Sequence, residues 1–438
     1  MRKIENKSVM VDFKKTEYHL KSLCCEETFE DKDWVLDHDC DCGPSLIQAV
    51  YKEKQISIHN NHPGLYKFSD WLPICKTLPG AGSPFTYKSE ALAKHLGLNN
   101  LYVTFSGYWP ERGGDMKSGS FKECEAYCVT ARGTEPEGKV LVVASAGNTA
   151  RAFARVCSEN KIPLLLTIPE DNIDALYFDH ELDPCVKVVA AASGGDYYDA
   201  IHISNVACSL PEFYAEGGAK NVARRDGMAT TVYSAVTTIG EIPSYYFQAV
   251  GSGTGAIAAW EAVERFKQDG RFGDNDMRLM VSQNEPFVPI KLAWKADSRQ
   301  MLPQDDDEAR HQVEEIGAKV LSNRKPPYGL TGGLYDALKA TDGDVLTATN
   351  EEGDAAGELF EKLEGIDIEP ASAIALATLI KEAPKMDPNA LIMLNITGGG
   401  KRRFHKDHKI FFKKPDLVIP IGIENSEIVA HLQAIMKK

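Results

Sequence analysis

The feature that most constrains this chain is a strand–helix–strand unit that recurs along it. KVLVVA (139–144) is a continuous apolar run of strand length. The small-residue turn SAGN (145–148), the helical stretch TARAFARVCSEN (149–160) and a second apolar run, PLLLTIP (163–169), follow it. A strand that is apolar throughout needs cover on both faces, and two such strands joined by a helix pair in parallel through a right-handed crossover. The unit returns as YYFQAV (245–250), the turn GSGTG (251–255), the helix AIAAWEAVERFKQDG and the strand MRLMVSQ; DVLTATN and LIMLNI likewise end in polar or glycine turns. Such alternation specifies an open α/β fold whose ligands bind at the carboxyl ends of the strands.

At 438 residues the chain exceeds the size at which one core stops growing, so two domains and an appendage are expected. The boundaries read as 1–60 for an N-terminal extension, 61–121 with 232–438 for a larger α/β domain, and 122–231 for a smaller one. A net charge of −14 makes polyphosphate backbones and anionic membranes poor partners, so neither nucleic acid nor membrane is expected, while a local cationic pocket for a small anion stays open. The N-terminus MRKIENKSVMVDF lacks the apolar stretch of a signal peptide, and no run approaches the roughly 18 apolar residues of a membrane helix. A cytoplasmic protein is expected, and ten cysteines in so long a chain fit reduced thiols. In the extension, Cys24, Cys25, Cys40 and Cys42 do not form the two Cys-x-x-Cys knuckles of a zinc ribbon. Ser22 and Asp39 stand at two of the ligand positions, so the reading is a degenerate ribbon without metal.

Four short motifs carry chemistry. SGSFKE (118–123) sets Lys122 in an apolar context, where desolvation lowers an amine pKa and leaves it nucleophilic towards an aldehyde; a solvated helix start is the plainer reading of one lysine. GSGTG, with Gly251, Ser252, Gly253, Thr254 and Gly255, opens a helix and can line a phosphate with backbone N–H groups, or serve only as a packing turn. Its spacing is not the G-x-G-x-x-G of a dinucleotide site. In SAGNT (145–149), Asn148 can donate through its amide while loop N–H groups hold a carboxylate; a turn capping the helix at Thr149 competes. ITGGG (396–400) puts Thr397 at a strand tip, where its hydroxyl can meet a heterocyclic nitrogen or simply enter a turn.

Taken in order, these elements resemble the tryptophan synthase-like, or fold type II, family of pyridoxal phosphate enzymes, over roughly residues 85–405. The resemblance implies pyridoxal 5'-phosphate as cofactor, bound covalently by Lys122. It further implies Asn148 on the cofactor's phenolic oxygen, Gly251 to Gly255 around its phosphate and Thr397 facing its pyridine nitrogen. Ser145, Ala146, Gly147 and Thr149 would take the amino-acid carboxylate. Within the family, the ribbon and EPASAIALATLIK (369–381) look like the threonine synthase branch. Threonine synthases continue the lysine with Asp-Arg, however, where this chain has Glu123-Cys124. With AEGGAKNVARRDGMAT (215–230) and NITGGGKRR (395–403), that departure resembles the cysteate synthases of methanogenic archaea. The resemblance implies conversion of O-phosphoserine and sulfite to cysteate and phosphate, in coenzyme M biosynthesis, by a homo-oligomer. Both reactants are anions, so cations are expected at the site, Lys117 and Arg151 foremost among Arg112, Lys117, Arg151, Lys220, Arg224 and Arg225. The rival readings are a threonine synthase acting on O-phosphohomoserine, a nicotinamide-dependent dehydrogenase, and a non-catalytic amino-acid sensor on the same fold.

Overall fold

The computed structural model describes residues 13–145 and 147–436, so the first twelve residues, Ala146 and the last two residues lie outside the described residues. Two sheets dominate. One has six strands in the order Asp344–Ala348, Arg278–Asn284, Tyr245–Ala249, Leu391–Ile396, Asn100–Phe105 and Phe85–Lys88, parallel except for the last, antiparallel edge pair. The other has five parallel strands in the order Phe213–Ala215, Val140–Ala144, Leu164–Pro169, Val186–Ala191 and Leu417–Ile419. Every residue of Leu164–Pro169 is buried, as two-sided helix cover of an apolar strand requires. Among the described residues no helix is long and apolar enough to cross a membrane.

Sheet membership corrects the expected boundaries at the C-terminus. Leu417–Ile419 pairs with Val186–Ala191 in the five-stranded sheet, although 232–438 was assigned to the larger domain. The physical cause lies in the last helix, Asn425–Met436: Ile428, Leu432 and Ile435 recur at helical spacing, are buried, and join Val189, Ile203 and Ala207 in one apolar cluster. That stripe holds a three-residue edge strand too short to be stable alone.

The extension is an antiparallel sheet in the order Thr28–Phe29, Tyr18–Ser22, Ile47–Tyr51, and it is not a detached appendage. Leu20, Trp34 and Leu46 belong to the same buried cluster as Cys128, Phe153 and Val232. Asp31 receives a two-pronged contact from Arg132, Nε at 2.8 Å and Nη2 at 2.7 Å, and Trp34 Nε1 donates to the Ala215 carbonyl at 2.7 Å. Docking of this kind fixes the extension against the loop that follows Phe213–Ala215.

Candidate active site

Three chain reversals converge on one cavity of about 320 Å³. At the first, the turn before the helix Lys122–Thr130 is clamped to the end of Leu391–Ile396: Phe121 N–H donates to the Thr397 carbonyl at 2.8 Å and Gly399 N–H to the Gly119 carbonyl at 3.0 Å. Lys122 lines the cavity with its side chain 19% exposed. Burial lowers its pKa, against the partial support of Glu125, whose Oε2 lies 3.4 Å from Nζ.

At the second reversal the helix Asn148–Asn160 follows Val140–Ala144. Ser145 Oγ accepts N–H bonds from Gly147 at 3.1 Å and Ala150 at 3.0 Å, so serine and not asparagine steadies the helix start. Asn148 Oδ1 accepts from Arg151 Nη2 at 2.9 Å, which leaves the Asn148 amide N–H groups to donate. Ser145, Gly147, Asn148 and Thr149 all line the cavity.

At the third, Gly251 to Gly255 lead into the helix Thr254–Asp269, whose first turn leaves backbone N–H groups without intrahelical acceptors. Close approach explains the glycines. A Cβ on Gly251 would stand 2.9 Å from the Val320 carbonyl oxygen, and Gly253, at φ +81°, would meet Leu334 at 2.7 Å. Ser252 and Thr254 line the cavity, their hydroxyls 2.8 Å apart.

Thr397 is buried and is not among the cavity-lining residues; its hydroxyl lies 3.3 Å from that of Ser372. The two favoured cations also stay off the wall. Lys117 pairs with Asp179 at 3.2 Å, and Arg151 is spent on the scaffold, donating to the carbonyls of Ser118 at 2.6 Å and Ala175 at 3.1 Å besides Asn148. Arg112 stacks on Tyr87 and Trp109, and Arg225 is buried against Glu261. The cations on the wall besides Lys122 are Lys220 and Arg224. Arg224 sits between two buried acids: Nε lies 3.2 Å from Glu125 Oε2, at an angle that makes an ion pair and not a hydrogen bond, and Nη1 donates to Glu216. Tyr197, the stretch Gly217 to Ala219, and Val320, Ser322, Asn323, Pro327 and Leu330 complete the lining. Sequence reasoning did not single out Tyr197, Val320, Ser322, Asn323, Pro327 or Leu330, whereas Gly217 to Ala219 fall within AEGGAKNVARRDGMAT.

Glu123 and Cys124, the residues that set the lysine neighbourhood apart, do not line the cavity. Glu123 Oε2 accepts the Ser118 N–H at 2.8 Å, and burial, opposed by Arg155, pushes its carboxyl up to about 7. A carboxyl whose folded pKa is raised binds more protons folded than unfolded, so stability falls as pH rises from the unfolded value towards 7 and is level above it. Glu123→Gln is expected to remove that slope. Urea unfolding at pH 5 and pH 8 should show up to about 3 kcal/mol less difference in the variant than in the parent.

The chain was compared with known proteins. A family profile described as "Pyridoxal-phosphate dependent enzyme" matches residues 80–398. Cysteate synthase of Methanocella arvoryzae is 47% identical over 407 residues, 92% of this chain and 96% of that protein. Cysteate synthase of Methanosarcina mazei is 46% identical, covering 87% of this chain and 92% of that protein. A crystal structure of an O-ureido-L-serine synthase variant with O-ureido-L-serine bound superposes with a TM-score of 0.52 at 12% identity, over 74% of this chain and 89% of the other, which supports the fold type II architecture. A chain so matched along nearly its whole length is an enzyme that uses pyridoxal phosphate, and it belongs to the cysteate synthase branch of the pyridoxal-phosphate-dependent enzyme family.

Proposed function

We propose that the chain catalyses a β-replacement in which sulfite displaces phosphate from O-phospho-L-serine to give L-cysteate. The observation that carries this reading is the opening of a half-buried, pKa-lowered Lys122 onto the same cavity as Ser252 and Thr254 of the glycine turn at 251–255 and the cations Lys220 and Arg224. The residues fit pyridoxal phosphate: Ser252 and Thr254 bring a helix N-terminus, where a phosphate is favoured, to the wall of the cavity that Lys122, an amine whose pKa is lowered, also lines. The bound cofactor supplies an aldehyde for amine capture and a ring that stores the electron pair released at the α-carbon.

The chain's own groups do the rest. Backbone N–H groups of Gly251 to Gly255 hold the cofactor phosphate, and the Asn148 amide, its oxygen pinned by Arg151, donates to the phenolic oxygen. Thr397 is assigned to the pyridine nitrogen. Ser145 Oγ already accepts two N–H bonds, so its own hydrogen is free to meet the substrate carboxylate beside the Thr149 hydroxyl. Lys122 removes the α-proton while neutral and later returns a proton to the same carbon. The Cβ–O bond breaks with phosphate leaving and the Cβ–S bond forms with sulfite. Arg224 and Lys220 attract both anions. Lys117 has no place in this reading, and Arg151 positions Asn148. Ten reduced cysteines suit a reducing, cytoplasmic setting, and a homo-oligomer remains part of the proposal.

Incubating the purified enzyme with phosphoserine, with and without sulfite, should give sulfite-dependent cysteate and one phosphate per cysteate. Threonine from O-phosphohomoserine with no cysteate from phosphoserine would overturn the assignment.

A further inference from the structure

The N-terminal sheet holds a second concentration of reactive groups, remote in chemistry from the cavity. Cys24 and Cys25 sit in the turn that closes after Tyr18–Ser22, where Glu26 N–H returns to the Ser22 carbonyl at 3.1 Å and Ser22 N–H donates to the Glu27 carbonyl at 2.9 Å. Cys40 and Cys42 lie on the segment that enters Ile47–Tyr51. The sulfurs of Cys24, Cys25 and Cys40 lie within 4.8 Å of one another, with Cys24 and Cys40 at 3.0 Å. Cys42 follows Cys40 by two residues on the same segment.

We propose that Cys24, Cys25, Cys40 and Cys42 bind one zinc ion. This reverses the expectation of a ribbon that has lost its metal. Apolar burial does not explain the gathering, because Cys42 is exposed and the other three are only half-buried. A tetrahedral zinc–thiolate site, with Zn–S bonds of about 2.3 Å, places sulfurs about 3.8 Å apart, so Cys24, Cys25 and Cys40 need shifts of only about an ångström, and Cys42, exposed two residues beyond Cys40, swings in as the fourth ligand. Four soft donors and no carboxylate favour zinc over calcium or magnesium. Zinc binding displaces the protons of the four thiols into solvent and leaves no group oxidised or reduced. Ser22, which stands where a knuckle cysteine would, instead places its Oγ 3.3 Å from Cys24 Sγ. Adjacent cysteines thus supply the pair that the usual spacing takes from residues three apart.

The ion would stiffen the wall of the catalytic cavity. Leu23, beside the cysteine pair, packs on Gly332, where a Cβ would approach its Cδ1 to 2.2 Å. Leu46 N–H donates to the Thr331 carbonyl at 2.9 Å and Thr331 N–H to the Pro44 carbonyl at 3.2 Å. Leu36 packs on Gly217, and Asp37 pairs with Lys220. Gly217, Lys220, Pro327 and Leu330 line the cavity, so both lips of one wall rest on loops that the metal ties together.

The test is elemental analysis of the full-length holoenzyme purified under reducing conditions. About one zinc per chain is expected, falling to near zero in Cys24→Ser and in Cys40→Ser, and unchanged in His38→Ala, which removes the neighbouring Cys25, Glu27 and His38 group from contention. Should the serine variants not fold, cobalt exchanged into the unmodified enzyme should give sulfur-to-cobalt charge-transfer absorption in a difference spectrum against the zinc form. The proposal is overturned by a metal-free chain after growth with added zinc, by iron in place of zinc, by zinc retained in both serine variants, or by a titration finding two fewer than the ten thiols of the sequence, which would mean a disulfide.

Discussion

Lys122→Ala is expected to lower the rate of cysteate formation on the order of 10³-fold or more and to remove the visible absorption of the lysine-bound cofactor, because proton transfer alone contributes about 10²–10⁴-fold and covalent capture is lost as well. Two lysines line the cavity, and their surroundings separate them. Lys220 is 42% exposed and paired with Asp37, the setting of a solvated cation. Lys122 has its side chain only 19% exposed and its pKa lowered by desolvation, the setting of an amine that gives up its proton. The fold should survive: the variant no longer buries an ammonium, and Glu125 keeps Arg224 at 3.2 Å. Unfolding free energy is expected to move by no more than about 1 kcal/mol, measured by urea titration followed by circular dichroism. Lys220→Ala serves as the control and should keep the spectrum. If the spectrum survives in Lys122→Ala and vanishes in Lys220→Ala, the assignment of the two lysines is reversed.

What the sequence carried and what it hid follow from chain geometry. The turns at 145–149 and 251–255 were legible because each follows a continuous apolar strand, so the site's backbone was marked by a change of period from two-sided burial to helix. Lys122 was legible only through the order of its partners, since one lysine in an apolar setting has many meanings. Leu417–Ile419 was not legible: three residues carry no period, and the partner strand lies more than 200 residues earlier. The adjacent arginines in AEGGAKNVARRDGMAT illustrate a second limit. Successive residues on a helix point about 100° apart, so one of the pair must face away from the other. The helix Val222–Ile239 turns Arg224 to the cavity and Arg225 into the core against Glu261 and the Ile47 carbonyl, and nothing local says which is which. The thiol cluster was hidden by a spacing rule: Cys24, Cys25 and Cys40 meet across two loops and not within two knuckles.

Arg224→Met tests whether the cavity's buried guanidinium serves substrate as well as structure. Methionine keeps much of the stem's packing while removing the charge, so Glu125 and Glu216 lose their shared cation. Breaking such a buried pair by removing one partner costs about 3–5 kcal/mol of stability. The loss should shrink on acidification: burial already raises the Glu216 carboxyl, and without Arg224 it rises further, so the unpaired charge is present above that folded pKa and is neutralised as pH falls through it. For catalysis, a charge-assisted hydrogen bond to the anionic reactant is worth about 1.5–3 kcal/mol, which predicts a KM for phosphoserine raised roughly 10- to 100-fold with a smaller change in kcat. Stability and binding separate in the double variant Arg224→Met with Glu216→Gln. Removing one of the two orphaned carboxylates should recover part of the lost stability yet leave KM high. A double variant with recovered stability and an unaltered KM would mean that Arg224 only neutralises its two acids, and that the reactant's phosphate is held by Lys220 or by backbone N–H groups alone.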